Sequence, residues 1–164
     1  MVDSDQRNRL RRLAGELVRE RRALERVVAE VHAAVALFTT RAPTSLEIRG
    51  AADLLHDFYT GSEKVFELIA TTVDGGAPEG GSWHRRLLES MATSIDRVRP
   101  AVLRPETLQA LDEYLRFRHL FRSLYGFELL WSRILPLLEG LAATHRQLAA
   151  DLDGFAAFLH AVAG

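Results

Sequence analysis

Apolar residues recur along the first forty positions of the chain in steps of three and four, with one step of seven. This spacing places them on one side of a helix and predicts a long amphipathic α-helix. Asp3 or Ser4 can cap its start, and it is expected to end near Thr39, before the proline of residues 41–43. The apolar stripe comprises Leu10, Leu13, Leu17, Leu24, Val28, Val31, Val35 and Phe38.

A second helix is predicted from Thr44, because Glu47 follows three residues later and the two residues can form a capping box. The glycine-rich stretch at residues 74–81 is the clearest loop of the chain. Ser82 is expected to cap a short third helix. The inner face of the second helix is expected to comprise Ala51, Leu54, Phe58, Val65, Ile69 and Val73, and that of the third Trp83, Leu87, Leu88 and Met91.

A fourth helix is expected after a connector at residues 97–104, because Pro105 suits a first helical turn. It is expected to run to about Tyr125 and to stop at Gly126. The last helix shows an unbroken alternation of steps of four and three, which is typical of the packing seam of a helical bundle. Its seam comprises Ile134, Leu138, Leu141, His145, Leu148, Leu152, Phe155, Leu159 and Val162, with His145 expected to be a packed core residue.

No segment alternates with the period of two that marks a β-strand. The pattern therefore predicts an all-α protein, an antiparallel bundle of about five helices. The length of 164 residues favours a single domain over residues 1–164.

Composition narrows the classes of function. The chain is 48% hydrophobic and 26% charged, as is usual for a globular protein, and it has no cysteine, which excludes disulfides and cysteine-ligated zinc. A polar start and the absence of a long apolar run predict a cytoplasmic protein with no membrane association. Net charge is −1, so no overall basic field points to nucleic acid. No metal or cofactor is expected, because the histidines and acidic residues lack ligand spacing.

In the fourth predicted helix, an apolar stripe continues with polar and charged residues. One of its apolar stripes begins with leucines at 108, 111 and 115 and continues at the same spacing with Arg118, Arg122 and Tyr125. Burying an unpaired guanidinium group is costly, so these arginines need carboxylates, an anionic ligand or a water-filled groove. His119 lies alongside them, whereas Arg116 is expected on the surface.

A structural explanation of the same pattern is that the two arginines pair with acidic side chains. Asp112 and Glu113 are candidates on the same helix, and another helix could also supply the carboxylate. Buried ion pairs of this kind recur in helical bundles.

Three blocks of residues carry a resemblance to a known family. They are LHDFYTG at residues 55–61 followed by Glu63 and Lys64, WHR at residues 83–85, and FRH at residues 117–119 continuing to YGF at residues 125–127. In this order and spacing the blocks resemble the HepT-like toxins of the HEPN superfamily, in the branch paired with MNT-type nucleotidyltransferase antitoxins. The resemblance covers most of the chain from about residue 46 onward.

The resemblance implies a helical bundle that forms a homodimer, with the motif helices of two subunits facing a shared cleft. It also implies metal-independent cleavage of RNA, with tRNA as one candidate substrate. The implied partner is a nucleotidyltransferase antitoxin that neutralises the toxin by transferring AMP to the tyrosine of the motif.

The family motif consists of an arginine, four residues, a histidine, one residue and a tyrosine. Arg118 and Tyr125 match its ends, and His119 matches the polar residue that follows the arginine in related motifs. Ser123 occupies the histidine position, and its hydroxyl is too weak a base for the proton transfers of internal RNA cleavage. His119, or His84 brought in by the third helix, would have to substitute.

The resemblance therefore assigns roles to six residues. Catalysis is assigned to Arg118, His119 and Ser123, phosphate or RNA binding to Arg122 and His84, and AMP acceptance to Tyr125. Ser123 motivates an alternative, a HEPN domain that binds a nucleotidyltransferase or RNA without cleaving it. A purely structural helical-bundle dimer is a third hypothesis.

Overall fold

The computed structural model describes residues 3–164, which form five α-helices and no strand within that range. The predicted all-α helical bundle is confirmed. A π-helical turn, Ala70–Asp74, continues the second helix, and a 3₁₀ turn, Gly126–Glu128, precedes the last. The helices are α1 (Ser4–Phe38), α2 (Ser45–Ile69), α3 (Trp83–Met91), α4 (Pro105–Phe121) and α5 (Trp131–Ala163).

The two longest helices, α1 and α5, pack against each other in antiparallel orientation. Arg11 near the start of α1 donates to the carbonyl of Gly164 at 2.5 Å. Arg21, ten residues further along α1, lies 3.1 Å from Asp153, which precedes Gly164 by eleven residues. The buried members of the α1 stripe are Leu10, Leu13, Leu17, Leu24 and Val31, together with Ala14. No helix within residues 3–164 combines the length and apolar character needed to cross a bilayer.

Helix α2 begins with the predicted capping box. Glu47 N donates to Thr44 Oγ1 at 3.3 Å, and Thr44 N donates to Glu47 Oε2 at 2.8 Å. Arg41 also donates to both Glu47 oxygens, and its hydrogen bonds lower the pKa of Glu47 to about 2. The predicted inner face of α2 was partly wrong: Leu54 and Val73 are only partly buried. Because α2 contacts every other helix, further side chains are buried, among them Leu55, Tyr59 and Glu63.

The seam of α5 is buried as predicted from Ile134 to Leu159. His145 is 6% exposed, and burial lowers its pKa, so the neutral imidazole packs in the core as expected. Val162 was predicted in the seam but is 40% exposed, and Ala163 is buried in its place. The last step of the seam runs four residues, from Leu159 to Ala163, and not three residues to Val162.

Helix α4 ends at Phe121, so the prediction that it runs to about Tyr125 was wrong. The carbonyl of Leu120 accepts hydrogen bonds from the backbone N–H and the hydroxyl of Ser123, at 3.1 Å and 2.9 Å, and the chain turns there. Gly126 then lies directly against the guanidinium group of Arg49 on α2, where a side chain would collide. These contacts fix residues 122–130 as a connection between α4 and α5.

Ser82 precedes α3, but its side chain makes no capping hydrogen bond, so that prediction was also wrong. Its backbone has a φ of 61°, in the left-handed region, because the chain leaving the glycine-rich loop turns sharply into α3.

The connector between α3 and α4 is held by Arg99, whose side chain is fully buried. Arg99 donates to both carboxylate oxygens of Asp74 at 2.6 and 2.8 Å. It also donates to the carbonyls of Ser90, Thr93 and Pro100. This one guanidinium group therefore links the end of the π-helical turn, the end of α3 and the connector.

Replacing Arg99 by methionine is expected to lower the free energy of unfolding by about 3–5 kcal/mol, because the Asp74 carboxylate, which is only 10% exposed, would lose its partner. Chemical denaturation followed by circular dichroism measures this loss. Arg97→Met is the matched control, since the Arg97 side chain is 93% exposed, and it should change stability by no more than about 0.5 kcal/mol. Equal losses in the two variants would contradict the role assigned to the Arg99–Asp74 pair.

Candidate functional site

Arg118 lies in the last turn of α4 and is only 7% exposed. Its guanidinium nitrogen Nη2 lies 3.9 Å from Oε1 of Glu63, and Nη1 lies 3.4 Å from Nε2 of His84. Its position at the carboxyl end of α4 also suits a cation, because the helix dipole is negative there. The motif arginine is therefore buried against a carboxylate and an imidazole from two other helices.

Glu63 and His84 are themselves in contact. Glu63, on α2, is 5% exposed, and its Oε2 lies 2.6 Å from Nδ1 of His84 at the start of α3. The indole of Trp83 lies against the His84 ring, with ring centroids 3.6 Å apart. Three helices thus bring Glu63, His84 and Arg118 together, and we call these three residues the buried triad.

The alternative that Arg118 pairs with an acidic residue is confirmed in one of its forms. The carboxylate is Glu63 of another helix, and neither Asp112 nor Glu113 is the partner. Asp112 instead binds Arg85 of α3 at 2.5 Å and Arg116 at 2.8 Å. Arg116 is exposed, as predicted, and the Arg85–Asp112 pair ties α3 to α4 beside the buried triad.

The Tyr59 side chain is completely buried near the triad. Its hydroxyl and Nε of Arg118 are buried without a hydrogen-bond partner among the described residues. Burial, and next the charge of Glu63, raise the pKa of Tyr59, so the phenol stays protonated. Both groups can donate a hydrogen bond. The site therefore contains two buried donors that no acceptor among the described residues satisfies.

His119 lies at the exposed side of the triad, with its ring centroid 5.7 Å from that of His84. Partial burial lowers the pKa of His119, and so do, in turn, the positive charge of His84 when that ring is protonated and the guanidinium groups of Arg118 and Arg85. Two imidazoles and one guanidinium group therefore lie together, and one of the imidazoles is accessible to solvent.

The remaining residues singled out from the sequence lie elsewhere. Arg122, Ser123 and Tyr125 are exposed and follow the end of α4. The backbone N–H of Arg122 donates to the carbonyl of Arg118 at 3.3 Å, as in the helix. No side-chain hydrogen bond or ion pair within residues 3–164 joins Arg122, Ser123 or Tyr125 to the buried triad. The prediction that Arg122 and Tyr125 extend the buried stripe of Arg118 was wrong, because the helix ends before them.

Tyr125 lies in an exposed aromatic segment. Its side chain is presented on the surface, the residue being 70% exposed, and its ring stacks on that of Phe127 with centroids 5.4 Å apart. Tyr125 N donates to Glu128 Oε2 at 3.1 Å, which holds the start of the 3₁₀ turn. Its phenolic hydroxyl is therefore reachable by another macromolecule.

Glu63 was not identified as a site residue from the sequence. A signal was present, since Glu63 stands four residues after Tyr59 and three before Phe66, on the side of α2 that is buried. A carboxylate on a buried stripe needs a cation or a donor, just as a buried arginine needs an anion.

The described residues include no group of three or more histidine and acidic side chains placed to hold a metal ion.

The fold and the site define an all-α helical bundle with a motif arginine buried between helices. A family model described as HepT-like protein matches residues 50–159, which include all of α3 and α4 and most of α2 and α5. The chain belongs to this HepT-like family, and the predicted resemblance is confirmed at that level. No curated protein and no solved structure gave a significant match.

Proposed function

We propose that this chain is the toxin of a HEPN/MNT toxin–antitoxin pair and a metal-independent ribonuclease of the cytoplasm, with tRNA as a candidate substrate. The observation that carries the proposal is the contact between Arg118 and His84. The motif lacks a histidine at position 123, and α3 supplies an imidazole to the motif arginine instead.

The proposed reaction is internal attack on the RNA backbone. The 2′-oxygen attacks phosphorus, the bond from phosphorus to the 5′-oxygen breaks, and the products are a 2′,3′-cyclic phosphate and a 5′-hydroxyl. Arg118 stabilises the negative charge that develops on the phosphoryl oxygens, because its guanidinium fork matches their geometry. Arg122 is proposed to contact the RNA backbone outside the triad.

Two histidines divide the proton transfers in this proposal. His84 accepts the proton of the 2′-hydroxyl, and His119 donates a proton to the leaving 5′-oxygen. The lowered pKa of His119 makes its protonated form a stronger acid, which suits the donor role but reduces the protonated fraction at neutral pH. Ser123 has no proton-transfer role here, since its hydroxyl donates to the carbonyl of Leu120.

Arg118→Ala is expected to slow cleavage of tRNA or mRNA by about 10²–10³-fold, because it removes the charge that stabilises the transition state. His84→Ala is expected to slow it by about 10²–10⁴-fold, as is typical of a lost general base. Denaturing gel electrophoresis of end-labelled RNA gives the rates, and circular dichroism checks the fold of each variant.

Arg116→Ala is the matched control, since Arg116 is an exposed arginine of the same helix and should leave the rate unchanged. A folded Arg118→Ala variant that cuts as fast as the parent protein would contradict this site. A folded parent protein that binds RNA or a nucleotidyltransferase without cutting would favour the alternative of a binding domain.

We further propose that the active form is a homodimer that joins through the surface at the end of α4. Large apolar side chains are concentrated there: Leu120 is 54%, Phe127 74% and Leu130 59% exposed. Leu120 and Leu130 line one groove, and Phe127 belongs to the same connection. Exposed large apolar side chains grouped in this way are typical of an interface. A dimer joined here would bring the α4 ends of two subunits together.

Light scattering at micromolar concentration is expected to give twice the chain mass of 18.4 kDa. Leu120→Glu combined with Phe127→Glu should give the monomer mass, because it would bury four charges in a two-fold interface. Val98→Glu, at a 43% exposed position of the connector, should leave the dimer intact. A parent protein that stays monomeric would contradict the shared cleft.

Tyr125 is proposed as the acceptor of AMP from an MNT-type nucleotidyltransferase. Its side chain is exposed, and the residue directly precedes the 3₁₀ turn Gly126–Glu128. The oxygen of Tyr125 would attack the α-phosphorus of ATP and release pyrophosphate. The added phosphate and its bulk would hinder RNA at the neighbouring surface.

Incubation with the antitoxin and ATP is expected to add AMP to the parent protein and none to Tyr125→Phe, as read by intact-protein mass spectrometry. Ser132→Ala, which removes another exposed hydroxyl nearby, should be modified normally. Modification of Tyr125→Phe to the same extent as the parent protein would assign the acceptor elsewhere.

A further inference from the structure

We propose that Glu63 is a positioning residue that holds His84 in the tautomer with hydrogen on Nδ1, so that Nε2 presents a lone pair to the RNA 2′-hydroxyl. This inference rests on the proposed ribonuclease function. Glu63 does not itself touch the RNA in this arrangement and acts through the imidazole.

The two neighbours of the His84 ring specify the same tautomer. Glu63 Oε2 lies 2.6 Å from Nδ1, and a carboxylate only accepts hydrogen bonds, so Nδ1 must carry the hydrogen. On the opposite edge of the ring, Arg118 Nη1 lies 3.4 Å from Nε2. A guanidinium group only donates, so Nε2 must carry the lone pair.

The surroundings keep the ring in this orientation. Glu63 is 5% exposed, and water therefore has little access to compete for its oxygens. Trp83 covers one face of the ring, with centroids 3.6 Å apart. The Arg85–Asp112 ion pair holds the first turn of α3 against α4, so His84 cannot move away without breaking a further contact.

The arrangement gives Glu63 a second effect during the reaction. When a phosphodiester oxygen binds Arg118, it competes with Nε2 for the guanidinium hydrogens and frees the Nε2 lone pair. Nε2 then takes the proton of the 2′-hydroxyl as the 2′-oxygen bonds to phosphorus. The imidazolium ion that forms is stabilised by the negative charge of Glu63 across the Nδ1–H bond.

Glutamine at position 63 would undo this arrangement without a change of volume. Glu63 offers one oxygen to each neighbour, since Oε1 faces Arg118 at 3.9 Å and Oε2 faces His84. Glutamine has one oxygen and one NH₂ group. The oxygen should turn towards the guanidinium group, which leaves NH₂ facing Nδ1 and forces the hydrogen onto Nε2. The base is then lost and two donors oppose each other.

The test combines histidine NMR with kinetics. Long-range ¹H–¹⁵N spectra of ¹⁵N-histidine-labelled protein, at about two pH units above the ordinary histidine pKa of about 6.5, report which ring nitrogen carries hydrogen. The His84 signals are assigned from their absence in His84→Gln. We expect hydrogen on Nδ1 in the parent protein and on Nε2 in Glu63→Gln.

In RNA cleavage, Glu63→Gln should lower kcat by about 10²–10⁴-fold, as expected for a base held in the wrong tautomer, and leave KM nearly unchanged. Glu63→Asp should restore the Nδ1–H tautomer and part of kcat, because it again offers two acceptor oxygens. Glu67→Gln, one turn further along α2, is the matched control and should match the parent protein in both measurements.

Two failures can be told apart. A parent protein that cuts RNA but has hydrogen on Nε2 of His84, or the same tautomer in Glu63→Gln as in the parent, would overturn the role of Glu63 alone. A folded parent protein that cuts no RNA would overturn the ribonuclease assignment, and the catalytic role of Glu63 with it.

Discussion

The buried carboxylate of Glu63 is the constraint on which the site depends. A charge with so little exposure needs partners, and here it has the imidazole of His84 and the guanidinium group of Arg118. These partners lie 21 and 55 positions further along the chain, on two other helices. Satisfying one carboxylate therefore requires α2, α3 and α4 to meet at one place, and that place is the last turn of α4, where Arg118 lies.

The rest of the bundle makes this meeting point rigid. The antiparallel pair of α1 and α5 covers α2, and the short helix α3 is fixed at both ends by arginines. Arg85 ties its first turn to Asp112, and Arg99 ties its last turn to Asp74. A nine-residue helix has little stability of its own, so these ion pairs determine where His84 is placed.

Periodicity was sufficient to predict the five helices, because each buries a stripe that repeats every three or four residues. It also identified Arg118 as a buried cation. It failed at the end of α4. The spacing of three and four continues through Arg122 to Tyr125, but the helical backbone ends at Phe121. Local contacts end the helix there: Ser123 bonds to the carbonyl of Leu120, and Gly126 lies against Arg49. Helix periodicity cannot register either contact.

Glu63 was missed for a related reason. Its partners come from distant parts of the chain, and a stripe pattern records which side of a helix is buried but not what lies opposite. The two observations together, a buried arginine on α4 and a buried glutamate on α2, would have predicted the pair. Neither observation indicated that His84 would lie between them, because that depends on the entry of the chain into α3 through Ser82 with its left-handed backbone.

The structure changes the interpretation of Ser123. Judged from the motif alone, serine in place of histidine argues against catalysis. In the folded chain Ser123 lies after the end of α4, has no bond to Arg118, and uses its hydroxyl to terminate the helix. An imidazole already contacts Arg118, it comes from α3, and a buried carboxylate orients it. In the proposed mechanism, acid–base chemistry at this arginine therefore depends on how α3 is held, not on which residue occupies position 123.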